Sequence, residues 1–217
     1  MTSENQYFLL QNEIYTGLKI SIATIEPMYK NMQQLVINHF SALLHVNNST
    51  DKIKVFEYLQ GYDAWKQIIT HQLNILNEVI QHQKDQNTWN TSTRQNANTI
   101  LALSHVQIDS AYSELRKNIE SIFTHIQNTS TINSPIRDVI SQSLQVINQE
   151  RLNSILSFKK LLVLIPDLNT LSENIKGIDC LLSFYTTDQE RNVHTNFLNS
   201  KVQTAENSKG GQSEIFN

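Results

Sequence analysis

The chain has 217 residues, of which only 5 are Gly and 3 are Pro. So little turn chemistry in that length excludes a β-sandwich or a βαβ protein and leaves an all-α fold. A net charge of -3, with 17 Lys and Arg scattered along the chain, gives no basic stripe for nucleic acid. Asn and Gln supply roughly a fifth of the residues, so the polar surface is mostly uncharged amide.

The opening stretch MTSENQYFLL has neither a basic n-region nor a long apolar h-region, and the longest apolar run, LLVLI at 161–165, is too short to span a bilayer. The single Cys180 fits a reducing compartment, as a small apolar residue within GIDCLLSF. The expectation is a cytoplasmic protein with no transmembrane segment. N-x-S/T triplets starting at Asn47, Asn48, Asn90 and Asn128 carry no weight without a secretory signal.

Four helices follow in chain order. In the first, apolar residues fall at Leu18, Ile22, Ile25, Tyr29, Met32, Val36 and Leu43, a 4-3 alternation interrupted by His39. Pro27 inside this pattern predicts a kink near Glu26 or a helix restart. The polar knot NNSTD then ends the helix, and Ser49 or Thr50 caps the next. The second helix carries Val55, Leu59, Tyr62, Ile69, Leu73, Leu76 and Ile80, with Lys66 as a polar intruder and Gly61 as a weak point.

A break near Trp89 precedes the third helix, with Leu101, Ile108, Leu115 and Ile122 on one heptad position and Tyr112, Ile119 and Ile126 on the other. The segment NTSTINSPIRD is clear punctuation, with Ser134 as N-cap and Pro135 at the first helical position. The fourth helix carries Ile136, Ile140, Leu144, Ile147, Ile155, Phe158 and Leu162 and stops before Pro166. A shorter helical segment runs from Leu168 to Tyr185. The expected architecture is an antiparallel bundle of long amphipathic helices over residues 1–185, with a disordered polar tail at 186–217.

Catalytic chemistry has little to stand on. No G-x-G-x-x-G, G-K-[ST] or H-E-x-x-H occurs, and the Glu-x-x-His pairs of a di-iron bundle are absent. Glu78 and His82 sit at i and i+4, the spacing of an exposed acid-base pair, and His39 and His105 fall at seam positions where a buried, hydrogen-bonded histidine suffices. The reading is a non-enzyme with no catalytic residue, no metal ligand and no cofactor. What stands out is apolar surface. Phe40, Phe56, Tyr58, Tyr62 and Trp65 cluster around the first turn-back, and one narrow seam cannot bury Leu35, Phe40, Leu44, Phe56 and Leu59 together.

The stretch SALLHVNNSTDKIKVFEYLQ, a helix ending in Ala-Leu-Leu, a short polar turn and an acidic-start helix reaching Leu-Gln, resembles the core of the phasin family over residues 18–126, with extra helices over 135–185. The resemblance implies a mainly helical, non-enzymatic protein that coats polyhydroxyalkanoate storage granules in the bacterial cytoplasm and sets their size and number, as a homo-oligomer. It points to Leu43 and Leu44 before the turn, and Phe56 and Leu59 after it, as granule-facing residues. Two features depart from the family: Asn and Gln replace much of the Ala, and a fourth helix and polar tail extend beyond the core. The alternative is a helical protein-protein interaction module, such as a secreted bacterial effector or a coiled-coil scaffold.

Overall fold

A computed structural model of the chain describes residues 3–42, 50–84, 91–129, 134–162 and 164. Every one of these except Gln60 and Leu164 is α-helical, so the protein is an all-α helical bundle. The elements are α1 (Ser3–Ala42), α2 (Thr50–Leu59), α3 (Gly61–Lys84), α4 (Thr91–Thr129) and α5 (Ser134–Leu162). The expected break near Trp89, the segment Leu168–Tyr185 with Cys180, and the polar tail lie outside the described residues.

The described residues fall into two compact units. The first takes those up to Tyr15, from Asn74 to Ser110 and from Ile155 onward, and the second takes Thr16 to Leu73 and Ala111 to Ser154. In the second unit, Phe40 meets Phe56, Tyr29 stacks on Tyr62 and Glu26 bonds Lys66, so α1 runs antiparallel to α2 and α3. Gly61 lies against Asn118 and Trp65 against Tyr112, which sets α3 antiparallel to α4. In the first unit α1 is joined to α4 by Tyr7 and Asn98, to α3 by Lys84 over the Phe8 ring, and to α5 by Lys160 and Glu13.

The core line of α1 differs from the expected seam. Buried positions are Tyr7, Gln11, Ile14, Leu18, Ser21, Ile25, Tyr29, Met32, Val36 and Phe40. Ser21 therefore stands where Ile22 was expected, and Phe40 rather than His39 closes the described seam. The reason is the period. Tyr7, Leu18, Tyr29 and Phe40 recur every eleven residues, or about 3.67 per turn, close to the 3.6 of a straight helix, whereas a strict heptad winds away from it. Pro27 neither ends nor restarts α1. Pro27 and Ala23 both sit on the exposed face, so the carbonyl that Pro27 cannot serve is open to water.

The second expected helix is split at Gln60 into α2 and α3, with Gln60 N–H bonding Glu57 O at 3.1 Å and Asp63 N–H bonding Gln60 O at 3.0 Å. The apolar phase carries through the split: Val55, Leu59, Tyr62, Ile69, Leu73, Leu76 and Ile80 are all buried, and Trp65 takes the place beside the Lys66 intruder. Gly61 lets Asn118 approach the junction, because a Cβ there would stand 2.0 Å from Asn118 Nδ2 and displace that amide. All seven expected seam residues of α4 are buried. On α5, Leu144 and Ile155 are only half-buried, and Arg151 takes a core position, engaged with partners rather than free.

The interior holds an unusual share of hydroxyl and amide. Tyr7 donates to Asn98 Oδ1, and Tyr112 pairs with Ser21 at 2.5 Å. Burial pushes the phenols of Tyr7 and Tyr62 up to about 12 and raises those of Tyr29 and Tyr112 as well, from an ordinary value of 10.0. In the unfolded chain these phenols ionise near their ordinary value, while in the folded chain they hold their protons past it. Their contribution to stability is complete below pH 10 and is lost as pH rises from there through about 12. An alkaline titration is expected to show tyrosinate absorbance from these four residues and loss of helicity as one cooperative event. Ionisation of all four near pH 10 with helicity intact would contradict it.

Candidate surface at the turn-back of α1 and α2

The four residues singled out by the resemblance separate. Leu43 and Leu44 lie outside the described residues. Phe56 is half-buried, and Leu59 is 2% exposed, inside the bundle. At 100° per residue, Val55, Leu59, Phe56 and Ile53 span an arc of about 160° on α2, with Lys52 falling inside it between Leu59 and Phe56. The bundle covers only part of that arc. Val55 and Leu59 are buried, Phe56 turns one side to the Phe40 ring at 6.4 Å, and Ile53 is 56% exposed. Lys52 reaches over the outer side of Phe56, its Nζ 5.9 Å from the ring centroid, and the His39 ring meets Phe40 edge-on at 5.7 Å. Desolvation beside this apolar surface lowers the His39 pKa, favouring the neutral ring.

α2 is tied down by polar contacts that the apolar pattern does not foretell. The carboxylate of Asp51 accepts from His125 Nδ1 of α4 at 2.6 Å, across 74 residues of sequence. Tyr58 stacks on the same imidazole, with centroids 5.7 Å apart and planes at 21°. At the other end, the Tyr29 hydroxyl of α1 lies 3.2 Å from Leu59 O and 3.4 Å from Tyr58 O. Those are terminal carbonyls of α2 that no following helical turn serves, so a phenol on another helix closes its C-terminus.

Farther along the same face, Glu26 accepts from Lys30 at 2.8 Å and Lys66 at 3.0 Å, and these bonds hold its carboxyl below the usual range. Beneath them, Tyr29, Tyr62, Trp65 and Tyr112 form a run of ring contacts at 4.9, 5.7 and 5.6 Å. The Tyr62 hydroxyl and Trp65 Nε1 are buried with no hydrogen-bond partner.

Among the described residues no group of three or more His, Cys, Asp or Glu could hold a metal ion. Glu78 and His82 are both exposed, and His105 packs its ring at 4.9 Å from that of Phe158. No helix of the described residues is long and apolar enough to cross a membrane. No protein-family model matches the chain, and comparisons with curated proteins and with solved structures give no match.

Proposed function

We propose that this protein is a non-enzymatic coat protein that binds the surface of hydrophobic polyhydroxyalkanoate granules in the cytoplasm through amphipathic helices, as a homo-oligomer, and limits granule size and number. The observation that carries the reading is the uncovered half of the α2 apolar arc, where exposed Ile53 adjoins half-buried Phe56 above buried Val55 and Leu59. Elsewhere Ile20 and Ile68 are exposed, and Leu152 lies one turn from similarly exposed Leu156 on α5. On α2 the exposed and the buried apolar residues share one side of the helix, where Lys52 falls among them with its ammonium over the Phe56 ring. A helix of that kind lies in an interface with its apolar side down and its polar side wet, and Lys54 and Glu57 hold the wet side here.

The test is co-sedimentation with polyhydroxybutyrate particles. Ile53→Asp alters a side chain the fold does not bury, so helicity should be unchanged. Moving an isoleucine out of water is worth about 1.5–3 kcal/mol, so its loss together with the new charge should weaken adsorption more than about tenfold. Wild-type protein that stays in the supernatant would overturn the granule reading and leave the helical interaction module ahead.

A further inference from the structure

We propose that α2 is a releasable arm of the bundle, clipped to α4 by His125 and pivoting at Gln60. The purpose of the release rests on the granule-coating reading, but its mechanics do not. α2 has ten residues, fewer than the roughly 12–15 that a helix needs to persist alone in water, so its order depends on what it touches.

Two of its contacts with α4 converge on one side chain. Asp51 and Tyr58 lie seven residues apart, near the two ends of α2, and both meet the His125 imidazole, one through the 2.6 Å hydrogen bond and the other through the stacked ring. The two contacts hold α2 along most of its length, yet both disappear if that ring moves. The pair is also partly open to water, with the Asp51 and His125 side chains 36% and 17% exposed. A contact of this kind is modest in strength and can open without stranding a buried charge.

The two sides of Gln60 are unequal. On the α3 side, Gly61 is wedged against Asn118, and Tyr62 and Trp65 are buried in the next turn. On the α2 side, the backbone is closed by the Tyr29 phenol instead of a continuing helix. Rotation at Gln60 would free Val55, Phe56 and Leu59 as one apolar stripe while leaving the aromatic run of α3 and α4 in place. The stripe would then join Ile53, giving a single amphipathic face for an apolar surface.

Peptide-resolved hydrogen exchange on the full chain tests the arm in solution, with no particles present. His125→Ala removes both the hydrogen bond and the stacked ring, together worth roughly one power of ten, so exchange over 50–59 should accelerate about tenfold while 67–80 stays unchanged. His125→Phe keeps a ring for Tyr58 and should fall between. Unchanged exchange in α2, or equal acceleration across the α3 segment, would overturn the arm. The same variants are then spun down with polyhydroxybutyrate particles. Stronger adsorption of His125→Ala than of the wild type supports release at the surface. Accelerated exchange with no adsorption by any variant would uphold the arm and overturn the granule reading.

Discussion

Replacing Trp65 by alanine is expected to lower stability by about 3–5 kcal/mol, the range for truncating a large aromatic in a packed core. Trp65 is 2% exposed and links the ring of Tyr62 to that of Tyr112. Its removal leaves both with an open side and leaves a void between α3 and α4. Trp65→Phe should cost far less. It keeps a ring between the two tyrosines, and the indole N–H that it deletes has no hydrogen-bond partner to lose. Denaturant unfolding followed by helicity separates the two variants. Equal losses for Ala and Phe would show that the indole nitrogen is bonded in solution and that ring packing is not the main contribution.

The second large effect has the opposite sign. Gln11 is 0% exposed at a core position of α1, and neither its amide nitrogen nor its amide oxygen has a hydrogen-bond partner. Burial raises the pKa of the Tyr7 phenol and the Gln11 side chain beside it lowers it in part, as a side-chain hydrogen bond does, but the hydroxyl is directed to Asn98 and neither amide atom attains hydrogen-bond geometry. Burying an unpaired amide costs about 1–3 kcal/mol, so Gln11→Leu, of similar volume, is expected to stabilise the protein by about that amount. Asn98→Leu is the contrast, since it strands the Tyr7 hydroxyl and should destabilise. A Gln11→Leu variant less stable than wild type would mean that ordered water serves the amide.

These two residues mark the limit of hydrophobic periodicity as a guide. The apolar pattern located α3 and α4 well because Leu, Ile and aromatic residues repeat along one inward line of each, and Lys66 misled by only one place, although buried Gln72, Asn98, Ser104, Asp109 and Ser113 beside that line left no mark. It failed at Gln11, Ser21 and Arg151, which are buried yet polar. A polar residue at a seam position leaves no apolar mark, and Ile22, next to Ser21, drew the expected stripe to itself. Of the two outcomes expected at Pro27, the helix restart does not occur: the cost of a missing backbone donor depends on whether the orphan carbonyl faces water, and exposure is a tertiary property.

At the turn-back, the apolar character of Phe56 and Leu59 was legible, but not the division of labour between them. One rotation of α2 decides which of its apolar residues is covered, and that rotation is set by Asp51, Tyr58 and His125. Nothing in the local pattern links α2 to a histidine 74 residues away.

The eleven-residue spacing along α1 sets the increments in which this helix can change length over evolutionary time. Eleven residues make just over three whole turns and about 16.5 Å of rise, so a segment of that size can enter or leave and return Tyr29, Met32 and Val36 to nearly the same side. Loss of one residue between Leu18 and Tyr29 would turn everything beyond it by about 100°, presenting those three side chains to water and Pro27 to a neighbouring helix. Descendants of this chain should therefore differ in helix length by matched blocks across facing helices, with single-residue length changes confined to the connections.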